Sequence, residues 1–499
     1  MRIRTLCIAA CALPLAATVS CGGDSPAACK DVPACTSTPA IAVATTPQAQ
    51  ACGNPSDCTA QPAGSCRKPF VPSSGVTEIP LGTQAVGNVV TFNVPSGTSS
   101  ITIIEQANGT GTAAPPDTVT LNGNLVIDNT AVPDKLKNPS GTVVYDDNPP
   151  SPPPPDPSGE TVFFASSSPF TGAFTIPNTS KLLAQSVNGL PTGQWSFVVN
   201  DFGFECVGAS NCTGGSKNTT YDVRVVLKGG APRTSGTVDV AFYLAEVSTP
   251  TSGASFVTAA NAPSDATMRR MVTSLASLYS KVGICLGKVT FYDLPSWAAT
   301  RFGALDIDST GPCDDLDQMF TLSVAGNQLN FFLTGSFVTK SQGQVRVAGI
   351  DGTIPGPSAF GGTIHSGAVV NGADLAGSAS ACAGAFNLSC GADLTAYIAA
   401  HEGGHWMGLY HTTEQLGDNF DPIADTPKCP CDTCVPANLR SQCSSFDPNV
   451  PPVVSGANCT KSTSCGGGEN LMFWLLDDAS TGALSCEQGA VMRTNPVVQ

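Results

Sequence analysis

Three of the four histidines in this 499-residue chain fall within one short stretch, HEGGHWMGLYH. His401 and His405 stand four positions apart, and His411 closes the stretch. On a helix, residues four apart lie on one face, about 6 Å apart along the axis, so their imidazoles could share one ion. On a continuous helix, His411 would lie about 240° around the axis from His405. The stretch therefore predicts a metal site only if the chain reverses after His405.

Gly408 provides a place for that reversal, because glycine adopts the left-handed backbone conformations that end helices. Three neutral imidazoles would then leave zinc an open fourth position for water. Glu402 directly follows the first histidine, and a carboxylate there can take a proton from water whose pKa zinc lowers to about 7. A structural zinc site more often uses cysteines and has no need of a glutamate. We therefore predict a catalytic zinc site with ligands His401, His405 and His411 and with Glu402 as the base.

The pattern HExxHxxGxxH resembles the signature of the metzincin zinc peptidases. The next segment, HTTEQLGDNFDPIADTPKCPC, is similar to the pappalysin branch of that family, as are GGGENLMFWLLDD and GALSCEQGAVMR. The resemblance spans roughly residues 237–499 and is strongest over 393–428. It implies zinc endopeptidase activity on protein or peptide substrates, in a cleft between an upper sheet subdomain and a lower, disulfide-rich one. It also implies that Met472 forms the Met-turn, a hydrophobic floor beneath the metal, with Met492 as the alternative.

One position departs from that branch. Pappalysin-like enzymes often carry a tyrosine two places after the Met-turn methionine, where this chain has Trp474. A tyrosine hydroxyl there can stabilise the reaction intermediate, so the departure favours an enzyme that is slow or uses another donor. It also keeps open a second interpretation, a cell-surface binding or adhesion protein with a catalytically weak metzincin fold. The intact Glu402 favours the peptidase.

Other polar clusters have alternative interpretations. Asp418, Asp421 and Asp425 could bind calcium, a cation that takes several oxygen ligands; the alternative is a solvated loop. The CPCDTC run at 429–434 could hold zinc through thiolates, but in an oxidising compartment disulfides are favoured. His365, the remaining histidine, is predicted to be incidental.

The N-terminus indicates export. Arg2 and Arg4 precede an apolar run of about a dozen residues, too short to cross a membrane. We interpret residues 1–20 as a signal peptide and TVSC as a lipobox-like site with Cys21 as the lipidated residue. The protein is then expected to be exported, as a cell-envelope lipoprotein or as a secreted protein.

The cysteine count agrees with an oxidising compartment. Of the 21 cysteines, three fall at or before the lipobox-like site, which leaves 21 − 3 = 18, an even number. An even number suits a disulfide-bonded exported protein. Near neighbours in the sequence suggest the pairs Cys206–Cys212, Cys285–Cys313 and Cys382–Cys390.

The net charge of −15 argues against nucleic acid and against an anionic membrane surface as partners. Membrane contact would come only through the lipid anchor. Charged residues make up only 12% of a chain rich in Gly and Pro, which is typical of β-rich exported proteins with long loops.

The chain is predicted to be multidomain. Residues 21–66 suggest a Cys-rich tether, and 67–229 a jelly-roll-like all-β sandwich of short alternating strands. Residues 237–499 suggest an α/β metzincin domain with a mixed sheet, a helix capped by Ser264, an active-site helix from about Asp393, and a disulfide-rich C-terminal subdomain. Because every predicted catalytic residue lies in that last domain, we expect it to keep activity without the sandwich.

Overall fold

The computed structural model of the chain contains two packed regions, a β-rich one and a mixed α/β one, each with its own buried apolar core. The structure describes residues 6–10, 34–35, 39–43, 70–107, 130–146, 168–206, 212–214 and 220–499, apart from 72, 170, 203, 254, 310–314, 340–344, 378, 383, 448 and 463. Among these residues, no helix has both the length and the apolar character needed to cross a bilayer.

The first region is a β-sandwich. Two short strands that precede it in the chain, β1 (Leu6–Ala10) and β2 (Ala40–Val43), belong to the sheet of the second region. The elements of the sandwich region are β3 (Val76–Ala85), β4 (Val89–Val94), β5 (Thr98–Ala107), β6 (Thr130–Lys137), β7 (Val143–Tyr145), β8 (Ser168–Pro169), β9 (Thr171–Ile176), α1 (Ser180–Gln185), β10 (Gly193–Phe202), β11 (Phe204–Cys206), β12 (Cys212–Gly214) and β13 (Thr220–Gly229).

Alternating burial explains why these strands form two sheets. One sheet has the order β4-β10-β6-β7, with β8 beside β6, and the other has the order β3-β13-β5-β9. In β4 every second residue is buried, and Phe92 shares a core with Ile103 of β5 and Val225 of β13. Apolar side chains at every second position of a strand point to one face, so the two apolar faces cover each other.

The second region is built on a mixed sheet. Its elements are β14 (Gly236–Ala245), α2 (Ala266–Ser280), β15 (Ile284–Asp293), α3 (Ser296–Gly303), β16 (Ala304–Asp306), α4 (Asp315–Phe320), β17 (Leu329–Thr334), β18 (Ser336–Val338), β19 (Val345–Asp351), β20 (Ala368–Asn371), α5 (Gly391–Trp406), α6 (Cys431–Cys434), β21 (Leu475–Leu476) and α7 (Cys486–Thr494), with 3₁₀ turns at Ala373–Ala376, Ala379–Cys382 and Ala437–Ser444. The eight strands follow the order β2-β15-β14-β17-β20-β19-β1-β21. Strands β15, β14, β17 and β20 are parallel, and β19 runs antiparallel to β20.

Helices cover both faces of this sheet. Along β14, Val240 and Phe242 join the core that contains α2 and α5, whereas Ala241 and Tyr243 join the core that contains α3 and α4. A strand that is apolar on both faces is typical of a sheet covered on both sides. The predicted long helix near Asp393 is α5, and it lies against α2.

Helix α2 is capped one residue later than the sequence predicts. The carboxylate of Asp265 accepts hydrogen bonds from the amides of Thr267 and Met268, whereas the predicted cap, Ser264, donates its hydroxyl to the carbonyl of Asn261 in the preceding turn. Both residue types are good caps, so sequence alone could not choose between neighbours.

Part of the predicted tether belongs to the sheet. Strand β2 pairs in parallel with the outer edge of β15, and Cys35, shortly before it, is bonded to Cys285 of β15 with Cα atoms 5.5 Å apart. The predicted Cys285–Cys313 pair is therefore wrong, because strand packing and not nearness in sequence decides which thiols meet. Cys21 lies outside the described residues.

The remaining disulfides follow the predictions more closely. Cys382–Cys390 is confirmed. Cys206 and Cys212 are opposite each other in the β11–β12 ladder, and their bond stays a prediction. The CPCDTC run is disulfide-bonded and not a thiolate metal site, through Cys429–Cys459, Cys431–Cys443 and Cys434–Cys465.

The sandwich is joined to the second region through the last residues of the chain. Lys228 of β13 is buried, and its ammonium donates to the carbonyl oxygens of Arg493, Asn495 and Val498. Burial, together with the charges of Arg233 and Arg493, lowers the pKa of Lys228 to about 7. The lysine therefore caps three carbonyls at the end of α7 and beyond it.

The same tail reaches the end of α5. The side-chain amide of Asn495 donates to the carbonyl of Trp406 at 3.2 Å, and its oxygen accepts from Ser358 at 2.7 Å. Trp406 directly follows His405. These contacts connect the sandwich to the end of α5 through the C-terminal residues, and the expectation that residues 237–499 keep activity without the sandwich stays a prediction.

Lys228→Met should destabilise the whole chain. Methionine keeps the packing volume but leaves three buried carbonyls without their donor, which we expect to cost about 2–3 kcal/mol of unfolding free energy. Thermal unfolding at pH 6, where the wild-type lysine is charged, measures the loss. The exposed Lys288→Met serves as the matched control and should melt like the wild type. Equal melting of the two variants would contradict a stabilising role for the Lys228 contacts.

Candidate metal site

Helix α5 and the chain after it bring three imidazoles together. The Nε2 atoms of His401 and His405 lie 3.0 Å apart, and those of His401 and His411 lie 3.3 Å apart. All three side chains are buried. Among the residues that the structure describes, these histidines are the group placed to hold a metal ion, and His365 is not part of it.

The chain reverses where the sequence predicts. Helix α5 ends at Trp406, and Gly408 has φ +103°, in the left-handed region that favours glycine. The Gly408 amide donates to the carbonyl of His405 and the Leu409 amide to the carbonyl of Gly404, which closes the helix end. Because of this turn, His411 approaches the two helical histidines instead of continuing away from them.

The outer nitrogens of the two helical histidines are fixed by backbone carbonyls. Nδ1 of His401 lies 2.6 Å from the carbonyl oxygen of Leu471, and Nδ1 of His405 lies 2.6 Å from that of Leu409. A carbonyl oxygen only accepts hydrogen bonds, so each Nδ1 must carry the hydrogen. Each neutral ring therefore presents an unprotonated Nε2 to the centre of the cluster.

A carboxylate orients the third imidazole. Oε2 of Glu414 lies 3.0 Å from Nδ1 of His411, and the Glu414 side chain is 43% exposed. Sequence reasoning did not single out Glu414, although an acidic residue three positions after a ligand histidine is a usable signal. Partners of this kind fix the tautomer of a metal-binding histidine and raise its basicity.

The cluster suits a cation. Burial, and next the charge of His411, lowers the pKa of His401 to about 3, and burial also lowers the pKa of His405. The rings of His401 and His405 are therefore neutral at pH 7, and their Nε2 lone pairs converge without a hydrogen between them. A metal ion removes that repulsion, and three imidazoles suit zinc among other transition metals. The donor set thus fits the implied metal.

The Glu402 side chain packs against the sheet. Its side chain is fully buried. A Cβ atom added to Gly349 of β19 would lie only 2.6 Å from Oε1 of Glu402. The glycine therefore leaves the room that the Glu402 carboxylate occupies, and any larger residue at 349 would displace it.

Met472 packs against α5. A Cβ added to Gly404 would lie 2.5 Å from the Met472 sulfur, so the sulfur packs on the helix next to His405. The Met472 amide donates to the side-chain oxygen of Asn470 at 2.8 Å, which fixes the turn. The alternative, Met492, lies on α7.

Trp474 is engaged elsewhere. Its indole N–H donates to the carbonyl of Val454 at 2.8 Å, and its ring packs edge-on against Phe446 in the disulfide-rich core. The indole could stabilise a reaction intermediate only by giving up that hydrogen bond. The expectation of an enzyme that is slow or uses another donor stays a prediction.

The structure does not assemble the three aspartates of the proposed calcium site. Asp421 is buried and paired with the Lys428 ammonium, which already neutralises it. Asp425 accepts a hydrogen bond from the amide of Glu487, and Asp418 is exposed. Acidic spacing alone could not reveal that a lysine supplies the positive charge.

Glu414→Gln should weaken metal binding without removing a ligand. Glutamine can still accept the Nδ1 hydrogen of His411, but it no longer raises the basicity of the ring. Loss of such an outer partner typically lowers metal affinity by about 10- to 100-fold. Competition with a zinc-binding dye measures the affinity, and the partly buried Glu469→Gln is a control in the same region that should bind metal normally. Unchanged affinity in Glu414→Gln would mean that the carboxylate does not support His411.

Comparisons with known proteins leave the family open. No family model matches the chain, and no curated protein matches it. One similar solved structure is a Bacillus subtilis protein from a structural genomics consortium, with 11% identity, 49% of this chain and 46% of that chain covered, and a TM-score of 0.11. Another is a family two carbohydrate esterase from Cellvibrio japonicus, with 11% identity, 52% of this chain and 67% of that chain covered, and a TM-score of 0.11. The chain thus spans about half the length of the first of these structures, and similarities this low carry no argument about fold or function.

Proposed function

We propose that the chain is an exported zinc-dependent endopeptidase that hydrolyses peptide bonds in proteins or peptides. The observation that carries the proposal is the convergence of the three imidazole Nε2 atoms, with the buried carboxylate of Glu402 directly after the first ligand histidine. A site that only held a structural metal would have no use for a buried acidic residue next to its ligands.

The proposed chemistry assigns a role to each group. Zinc held by His401, His405 and His411 would lower the pKa of water to about 7 and polarise the peptide carbonyl. Glu402 takes the proton from the attacking water and gives it to the leaving amine. The Leu471 and Leu409 carbonyls and Glu414 keep the ligand rings in the tautomer that this requires.

The edge of β19 supports an extended polypeptide as the substrate. Residues 6–10 pair antiparallel with β19, and Cys7 lies opposite Gly349, the glycine that packs against Glu402. An extended chain on this edge therefore passes directly beside the proposed base. Adding a strand to a sheet edge is a common way to bind peptides, because the main chain supplies the hydrogen bonds.

The proposal also includes a family and a cellular location. The order of the ligands, the reversal at Gly408 and the placement of Met472 support a pappalysin-like metzincin. Disulfides such as Cys429–Cys459 support an oxidising, extracytoplasmic location. The signal peptide and a lipid on Cys21 remain part of the proposal.

The test is hydrolysis of casein and of a random peptide library by the purified full chain. Activity should disappear with a chelator and return when zinc is added. The second candidate, a surface-binding protein with weak catalysis, is favoured by the engagement of the Trp474 indole with Val454. A folded chain that holds zinc yet cleaves neither substrate would refute the peptidase and leave that candidate.

A further inference from the structure

We propose that the β-sandwich positions the ligand helix of the metal site, and that Asn495 is the positioning residue through which it does so. The inference rests on the proposed function, because it concerns how the site of that function is held in place. It is the opposite of the expectation that residues 237–499 keep activity without the sandwich.

One face of β13 points to the second region. Arg224, Val226 and Lys228 alternate along this strand, so their side chains share a face. The Arg224 guanidinium lies 5.1 Å from the ring centre of Phe360, and Val226 shares a small buried core with that ring. The Lys228 ammonium donates to the backbone carbonyl of Asn495 at 3.2 Å. This face of the sandwich therefore holds two segments, the loop at 352–367 and the C-terminal tail.

Both segments bond the same carbonyl at the end of α5. The amide of Gly356, four residues before Phe360, donates to the carbonyl of Trp406 at 3.0 Å. The side-chain amide of Asn495 donates to that carbonyl at 3.2 Å. The last four carbonyls of a helix have no partner within the helix, so a buried helix end needs donors from elsewhere. Here both donors come from the two segments that the sandwich holds.

The orientation of the Asn495 side chain is fixed. Its oxygen accepts hydrogen bonds from the Ser358 hydroxyl at 2.7 Å and from the Val497 amide at 3.0 Å. A backbone amide can only donate, so the side-chain oxygen faces Val497 and the nitrogen faces Trp406. Asn495 is fully buried. Without its donor, the buried Trp406 carbonyl would keep only the bond from Gly356.

The end of α5 carries the metal site. Trp406 directly follows the ligand His405, and the turn after it places the carbonyl oxygen of Leu409 2.6 Å from Nδ1 of that histidine. The same turn brings His411 back to the cluster. A shift of the helix end would therefore move both the group that orients one ligand and the chain that carries another. Loss of the Asn495 donor should act on the metal site in this way.

The zinc affinity of the full chain tests the inference through Asn495→Asp. Aspartate can still accept the hydrogen bonds from Ser358 and Val497, but it has no donor for the Trp406 carbonyl. We expect the zinc affinity to fall by about 2- to 30-fold, the range typical of residues that act on a site without touching its ligand. Competition with a zinc-binding dye measures the affinity. Unchanged affinity would overturn the inference.

Asn327→Asp is the matched control. Asn327 is also buried, and its side-chain amide donates to the same tail, to the carbonyl of Pro496 at 2.6 Å, and to the Ser73 hydroxyl at 2.8 Å. Both variants should lower the melting temperature, but only Asn495→Asp should weaken zinc binding. Equal losses of zinc affinity would overturn the inference, because the effect would then come from general destabilisation of the tail.

A second measurement uses the metal-free chain and Ser358→Ala, a milder change that removes one of the bonds holding the Asn495 amide. The amides of Met407, Gly408 and Leu409 donate within the turn, and their hydrogen exchange reports how often the helix end opens. We expect exchange at these amides to be about 2- to 10-fold faster than in the wild type, the change that loss of one hydrogen bond gives. Unchanged exchange, or equal acceleration throughout α2, would overturn the inference even where Asn495→Asp fails to fold. If the wild type cleaves no peptide, the proposed function fails, while this comparison still decides whether Asn495 holds the ligand helix.

Discussion

Glu402→Ala should abolish peptide hydrolysis and leave zinc bound. The substitution removes the group that takes the proton from water, and general acid–base catalysis by one side chain typically contributes about 10²- to 10⁴-fold in rate. The three imidazoles and the partners of their Nδ1 atoms are untouched, so the metal affinity should stay near that of the wild type. Single-turnover assays with a fluorogenic peptide, together with elemental analysis of the protein, measure both quantities.

Glu402→Gln is the matched control for packing. Glutamine fills the space beside Gly349 but cannot accept the proton, so it should be as inactive as alanine and should melt like the wild type. Turnover in either variant within tenfold of the wild type would mean that Glu402 is not the base. Inactivity combined with loss of zinc would instead mean that the glutamate supports the ligands.

Much of the site is local in sequence, which is why it could be predicted. The ligands on α5 follow from the helical repeat, and the position of His411 follows from one glycine able to adopt a left-handed conformation. The Nδ1 partners could not be predicted in the same way. The carbonyl of Leu471 arrives from a segment seventy residues away from His401, and nothing in its residue type marks a backbone oxygen.

Prediction of the fold from sequence is limited in the same way to local features. The alternation of apolar and polar residues predicts β4, and the spacing of apolar residues predicts α2. Both patterns depend only on neighbours in sequence. The bond between Cys35 and Cys285 depends on which strand lies beside β15.

The failed calcium prediction has a related cause. Asp418, Asp421 and Asp425 are close in sequence, but their side chains make separate contacts. The ammonium of Lys428 takes the place beside Asp421 that a cation would need. A count of carboxylates in a loop does not include the basic side chain that folds back over them.

His411→Ala should lower zinc affinity more than any change that spares the ligands. His411 is the one ligand that α5 does not carry, and without it two nitrogens from a single helix face must hold the ion alone. The loss of zinc affinity should therefore be larger than the loss of about 10- to 100-fold expected when an outer partner such as Glu414 is removed. Peptide hydrolysis should fall with zinc occupancy and should recover partly at high zinc concentration, which distinguishes this variant from Glu402→Ala.

The control for His411→Ala is His365→Ala. Both histidines are 5% exposed, but only His411 belongs to the metal-binding group among the described residues. Each variant removes a buried ring, so both metal-free proteins should lose stability to a similar degree. Only His411→Ala should lose the increase in melting temperature that added zinc gives, because binding to the folded state alone stabilises it. If His411→Ala binds zinc as tightly as the wild type does, the chain does not fold back at Gly408 in solution and the third ligand is a different residue.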